Sequence, residues 1–223
     1  NNDFYLQTWG ADYDNLGIID GTGTLWFNFY NTDKTYSIGS INVGHVYIIL
    51  DGGSPSNCKF ILNSDNVLET ILQVLSGSAD KTMTLDLNGH NLTATSITVG
   101  TRGILQCGEG TITTASLDSS AGTITPETAT WVFEGNGAAK VSAAQKLRSV
   151  LVKDRLKLLS DLNIEQALAH TNPIDLNGFA LALDRPENEY TSIRRPMVRA
   201  IRKLDLGPTD ALDKWMTDLG GMV

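Results

Sequence analysis

The feature that most limits what this chain can become is a rhythm of short hydrophobic beats. It is clearest over residues 130–184, TWVFEGNGAAKVSAAQKLRSVLVKDRLKLLSDLNIEQALAHTNPIDLNGFALALD. The beats are Val132 and Phe133, Val141, Leu147, residues 150–152 and 156–159, Leu162 with Ile164, Ala167 with Leu168, Ile174 with Leu176, and Phe179, Leu181 and Leu183. Turn residues interrupt them at 134–137, 160–161 and 177–178. Apolar runs this short, bounded by Gly, Asn, Asp and Ser, read as strands. A strand so short buries too little to persist alone, so many must stack. The tetrapeptide DLNG supports stacking, since it stands at 86–89 in TMTLDLNGHNLTATSITV and again at 175–178. One turn recurring among strands of like length marks a repeat whose units complete each other's core.

The order W-x-F-x-G-x-G, short strand, LLSDLNI and then IDLNGFALAL resembles the modules of right-handed parallel β-helices. These are the pectin-lyase-like solenoids of bacterial surface adhesins and of phage or virus tail and decoration proteins. The likeness covers roughly residues 82–184 and, more faintly, 23–75. It implies an all-β chain, a right-handed parallel β-helix (β-solenoid) over 24–184, of about seven to nine coils with about 20 residues each. At about 4.8 Å per coil that is a rod of roughly 35 to 45 Å. The motifs are architectural, so the resemblance implies an exterior setting, virion or cell surface, more than an activity.

Strands are expected near 37–43, 45–50, 58–62 and 67–75, then at 83–87, 92–94, 97–99, 104–107, 111–113, 123–125 and 131–133. Residues 67–75 also carry helical spacing in Leu68, Ile71, Leu72 and Leu75, and context favours strand. The expected inward ladder is Leu85, Leu87, Ile97, Val99, Ile104, Ile112, Ile124, Val132, Leu162, Ile164, Ile174 and Leu176. Alternating Thr belongs on the solvent side, stacked on Thr or Val one coil away. Cys58 and Cys107 lie about two coils apart, beyond disulfide reach, and are expected to be buried and structural.

Residues 1–23 are irregular and polar in character, with Phe4, Tyr5, Trp9 and Tyr13 scattered among Asp and Asn, and are expected to cap the first coil or contact another subunit, because an open solenoid end exposes core and backbone. DYDNLGIIDG within them partly matches a calcium loop through Asp12, Asp14 and Asp20, but Leu16 and Gly23 stand where two oxygen ligands belong. Ten of the 16 aromatic residues precede Asp51. Trp9, Trp26, Phe27 and Tyr30 are therefore candidate surface aromatics for a protein or glycan contact, the other reading being an aromatic-filled first coil.

The pattern changes after Leu183. Pro196 opens one short helix with Met197, Val198, Ile201 and Leu204 on a face; Gly207 and Pro208 break it; Thr209 caps a second that aligns Leu212, Trp215, Met216 and Leu219. Residues 185–223 are thus expected to be a two-helix docking element. Arg194, Arg195, Met197, Arg199, Arg202, Lys203, Trp215 and Met216 would form its assembly contact, cations facing acidic partners. Residues 1–183 hold 10 Lys and Arg against 18 Asp and Glu, whereas 184–223 balance at 7 against 7. The net charge of −8 argues against nucleic acid as the main partner. No run of about 18 apolar residues suits a membrane span, and the chain shows neither an initiating Met nor a signal peptide, as expected of a processed protein or a fragment.

No residue spacing marks a cofactor or metal site. His45, His90 and His170 are far apart, and none has a Cys or His neighbour at ligand spacing. The triplet Asn91-Leu92-Thr93 is a glycosylation sequon that matters only in a secretory setting. Asn31-Thr32-Asp33 and Gly44-His45 echo polysaccharide-cleaving β-helices, but the paired Asp and the downstream Arg-x-Lys have no counterpart, and hydrolysis needs two carboxyl groups about 5 to 10 Å apart. The expectation is therefore a non-enzymatic structural or attachment module, a virion decoration or fibre subunit or an adhesin module, assembling with other protein subunits, itself included. The alternative is a carbohydrate-binding or polysaccharide-cleaving β-helix.

Overall fold

Every pairing between the strands is parallel and joins one coil to the next, as Ile48 faces Val74 and Val74 faces Val99. Parallel strands require a long crossover, and here the crossover is the remainder of each coil. The structure is a computed structural model describing residues 4–8, 18–30, 35–38 and 40–184 of the 223. It is an all-β parallel solenoid of about seven turns, without a helix among the described residues. The chain divides into two units, Asn1–Glu189 and Tyr190–Val223, and all described residues belong to the first. The expected helices at 185–223 and most of the expected cap at 1–23 lie outside the described residues.

Each coil has three faces. The first face contains Ile18–Asp20, Ser40–Asn42, residues 66–68, 92–94 and 111–114, Thr130–Phe133, and residues 149–152 and 167–170. The second runs from Phe4–Thr8 through Thr24–Phe29, His45–Leu50, residues 71–76, 96–99 and 116–119, and Gly137–Val141 to Leu156–Leu158 and Ile174–Asp175. The third runs from Thr35–Ile38 through Cys58–Leu62, Met83–Asp86, Gly103–Gln106 and Thr123–Thr125 to residues 146–147, 162–164 and Leu181–Leu183. The ladder begins earlier than expected, because Phe4–Thr8 already pairs with Thr24–Phe29. Asn66–Ser76 is a strand, as context favoured; it bends from the first face to the second with no separate turn.

The repeated DLNG is one turn used at two corners. Asn88 and Gly89 have φ of 50° and 80°, and Asn177 and Gly178 have 48° and 83°. Two successive left-handed residues close the chain most tightly, and Asn followed by Gly tolerates them best. The Asp binds the turn's own backbone, since the amide of Asn88 donates to Asp86 Oδ1 at 2.9 Å and that of Asn177 to Asp175 Oδ1 at 3.1 Å. The first copy leads from the third face to the first, the second from the second face to the third. The motif therefore encodes a turn rather than a place in the coil. Gly137 is fixed by a close approach, since a Cβ there would overlap the carbonyl oxygen of Ala115 one coil earlier.

Coils widen and then narrow along the chain, since Thr24 pairs with His45, 21 residues on, and His45 with Ile71, 26 residues on. Bonds from one coil to the next span 25 and 26 residues at Thr82 and Asn91, 20 at Thr111, and 19 at Ala180. A wider coil encloses more volume and takes larger side chains. Phe27 and Phe60 lie 4.9 Å apart and Phe29 and Phe60 5.8 Å apart inside the first coils, whereas Leu, Ile and Val fill most of the later ones. Trp131 is the exception: its ring is fully buried 6.5 Å from Phe133, and its Nε1 has no hydrogen-bond partner.

Most of the expected ladder is buried, but two positions differ in register and a third, Ile174, aligned with the buried Leu156, differs only in burial. Leu105, with no exposure, takes the inward place expected for Ile104, because alternation sets Ile104 outside with Gln106. Trp131 and Phe133 point inward, and Val132, aligned with the outward Thr113 and Leu151, is 7% exposed. Ile174 is only half-buried, in the last coil described. Phe27, expected at the surface, is 2% exposed, because the alternation of Thr24–Phe29 sends Leu25, Phe27 and Phe29 inward. Cys58 and Cys107 are both buried and not joined to each other.

The register makes a direct test. Leu105→Ala should cost roughly 2 to 5 kcal/mol in denaturant unfolding. Ile104→Ala should cost about 1 kcal/mol or less, as an outward substitution; equal costs would contradict this alternation.

Candidate functional site

Among the described residues a chain of ionisable and amide side chains lies on the third face. Lys59 Nζ donates to Asp86 Oδ2 at 2.9 Å and to Gln106 Oε1 at 3.1 Å. Gln106 Nε2 donates to Glu127 Oε1 at 2.9 Å. The four residues occupy successive coils, since Lys59 adjoins Met83–Asp86 in register, Asp86 faces Gln106, and Glu127 lies just past the strand that pairs Gln106 with Thr125. Asp86 is 9% exposed, and both its oxygens already accept, one from Lys59 and one from its own turn. A carboxylate so engaged is held in place from both oxygens. The arrangement is suited to fastening one coil to the next.

The same use of polar side chains recurs at the corners. Asp65 Oδ1 accepts from the amide of Asn91 at 2.8 Å, Asn91 Oδ1 from the amide of Thr111 at 2.8 Å, and Asn66 Oδ1 from the amide of Ile41 at 2.8 Å. Asp154 and Asp161 serve the amides of Gly135 and Ala180 in the same way, both at 2.8 Å. The sequon residue Asn91 is thus bound on both sides, with Nδ2 donating to Asp65 Oδ2 at 3.0 Å. Gln145 bridges the gap between Thr123–Thr125 and residue 146, where no strand pairing joins the coils: its Nε2 donates to the carbonyl of Gly122, and its Oε1 accepts from the fully buried Ser119 hydroxyl at 2.9 Å. A carboxamide offers the donor and acceptor of a peptide group, so it substitutes for the missing backbone partner.

These bonds shift ionisation. The backbone and side-chain amides of Asn91 hold the Asp65 carboxyl below its usual range, with His90, 3.6 Å away, adding to the effect. Burial pushes Asp118 up, but the hydroxyl and amide of Ser120 and the Lys140 ammonium at 3.8 Å outweigh it and leave the carboxyl lowered. Asp184, 2.6 Å away, raises Lys146. Burial, with Glu127 adding its charge, pushes the Cys107 thiol far up, which disfavours the thiolate.

The second face carries the aromatics that point outward. Trp26 stacks on Tyr47 of the next coil, with ring centroids 4.1 Å apart and planes 9° apart. Because the rings stack along the coil axis, each covers one face of the other. Tyr30 packs near Gly53. Tyr47 and the third-face cluster carried no local sequence signal, because their partners lie one or two coils away. Trp9, Asn31 to Asp33, Asp12 and Asp14, and the expected assembly residues Arg194, Arg195, Met197, Arg199, Arg202, Lys203, Trp215 and Met216 lie outside the described residues; Asp20 is in the strand Ile18–Asp20.

His90 Nδ1 faces Asp65 and His170 Nδ1 lies 3.1 Å from the carbonyl of Asn172. Among the described residues no three His, Cys, Asp or Glu side chains group as metal ligands, and no helix is long and apolar enough to cross a membrane. An internal void between Ile41, Phe60, Leu72 and Leu92, of about 10 Å³, has room for at most a water. The chain matches no protein-family model, no curated protein and no solved structure.

Two measurements probe the bonds between coils. Gln145→Ala leaves the Ser119 hydroxyl buried without its acceptor and should cost about 1 to 3 kcal/mol, whereas Gln166→Ala on the surface should cost far less. Asp65 has a native pKa below its unfolded value, so its stabilisation is complete above the usual 3.8 and is lost as pH falls from there through the lowered native value. Asp65→Ala should remove that part of the acid limb of a stability-against-pH curve; an unchanged limb would exclude the Asp65 contribution.

Proposed function

We propose that the chain is a non-enzymatic structural or attachment module on an exterior surface: a virion decoration or fibre subunit, or a module of a cell-surface adhesin. The observation that supports this reading is the use of Lys59, Asp86, Gln106 and Glu127 to bind four successive coils together. Groups that chemistry would need free are committed to holding one coil on the next, and a stiff stack of coils suits holding partners at a fixed separation. Its partners are other protein subunits, copies of itself among them. The segment 192–219 supplies an assembly contact, with Trp215 as anchor and Arg194, Arg195, Arg199, Arg202 and Lys203 beside Met197 and Met216. No cofactor takes part, and nucleic acid is not its ligand.

One observation favours a second reading, carbohydrate binding or cleavage: Asp86 and Glu127 share a face with Lys59 between carboxylate and amide partners. Incubation with polysaccharides separates the two. The attachment reading expects no release of reducing ends or unsaturated products; turnover abolished by Asp33→Asn or Asp86→Asn overturns it. Arg199→Glu with Arg202→Glu should weaken assembly in a salt-dependent way, as read by native mass measurement.

A further inference from the structure

We propose that Asn88 is a site of spontaneous covalent modification, its side-chain amide being lost through attack by the backbone nitrogen of Gly89. The pair Asn-Gly occurs three times, at 88–89, 136–137 and 177–178. Glycine is the follower that shields the attacking nitrogen least, because it carries no Cβ. The three pairs differ in what the fold does with the two reacting groups. At 136–137 the nucleophile is taken, since the amide of Gly137 donates to the carbonyl of Arg155 at 3.2 Å and Gly137 opens the strand Gly137–Val141. At 177–178 the leaving group is taken, since Asn177 Nδ2 donates to the carbonyl of Leu158 at 3.2 Å. At 88–89 neither is taken: Asn88 is exposed, and among the described residues its carboxamide has no partner and the amide of Gly89 no acceptor.

In the first step the Gly89 nitrogen gives its proton to solvent base and bonds to Cγ of Asn88; the Cγ–Nδ2 bond breaks, and ammonia leaves with a proton. Water then adds to either carbonyl carbon of the five-membered succinimide and opens it to aspartate or isoaspartate. Both reacting groups belong to one chain, so the rate depends on how freely they meet. Asn88 must leave its left-handed conformation for the ring to close, and the turn bond from the amide of His90 to the carbonyl of Leu87 opens with it. Asn177 faces the same step, because its turn has like dihedrals and the corresponding bond, Phe179 to Leu176, has the same length of 2.8 Å. The extra bond at Asn177 is what separates the two. On the next coil Gly108 carries no side chain to cover the Gly89 nitrogen, and a Cβ there would stand 2.6 Å from it. Isoaspartate adds one atom to the backbone of this turn, so the corner between the third and first faces would lose its present His90–Leu87 closure. Nothing in this chemistry depends on the attachment reading.

The test is peptide mapping of the full chain aged at mildly alkaline pH and body temperature, with conversion of amide to acid scored at each of the three pairs, both natively and in strong denaturant. In the native chain Asn88 is expected to react about two- to tenfold faster than Asn177 and Asn136, the factor that one hydrogen bond withheld from the reaction amounts to. In denaturant, where no such bond remains, the three should react at like rates. Asn88→Gly places at 88 a residue that accepts the left-handed turn, and it should remove the first acidic species to form on ion exchange. An Asn88 no faster than the other two in the native chain, a native order that persists in denaturant, or an acidic species that survives Asn88→Gly overturns the proposal.

Discussion

The backbone amides in the strands of this solenoid bond to a carbonyl one coil away, and the rest of the structure follows from that separation. Along a face the requirement is met by the parallel ladder itself. At a corner the chain changes direction and the ladder lapses, so the amides there need another acceptor, because a buried or half-buried N–H left unpaired is costly. Asp65, Asn66, Asn91, Asp154 and Asp161 provide it from the adjacent coil. Much of the chain's acidic and amide content is therefore structural, a short acceptor at a fixed height on each corner. The Lys59 to Glu127 chain extends the same device along the third face, and Gln145 does so where the ladder itself stops.

The concentration of aromatics before Asp51 has two causes. Phe27 and Phe29, with Phe60 of the next coil, fill the interior of the first coils. Trp26 and Tyr47, on the opposite side of the same strands, belong to the outer surface. Composition merges these populations; only the alternation of each strand separates them. Trp131 shows the limit of the trend, since a large ring in a narrower coil keeps its place by stacking while its N–H goes unpaired.

The local parts of the fold were legible in the sequence because their causes are local. DLNG predicts its turn from residues within four positions, and alternation in 123–125 or 162–164 predicts which side chains turn inward. Ile104 was misplaced although the signal was present: Gln106 two positions on belongs outside, and so must Ile104. The cross-coil bonds were not legible. Lys59 reaches Asp86 across 27 residues and Gln106 across 47, and with coils shrinking from 26 to 19 residues no fixed period aligns such partners. DLNG itself misleads on this point, because its copies sit at different corners and do not mark equivalent places in two coils.

Fastening coils by paired charges also determines what the outside can do. Lys59 with Asp86, Lys140 with Asp118, Lys153 with Glu134 and Lys146 with Asp184 each join different coils, so these cations are matched within the molecule and the net charge comes from the carboxylates that remain. Exposed pairs of this kind add little stability one by one, but each fixes two long side chains and so removes freedom that a partner would otherwise have to quench. A surface already ordered in this way loses less entropy on association than a set of mobile lysines and glutamates.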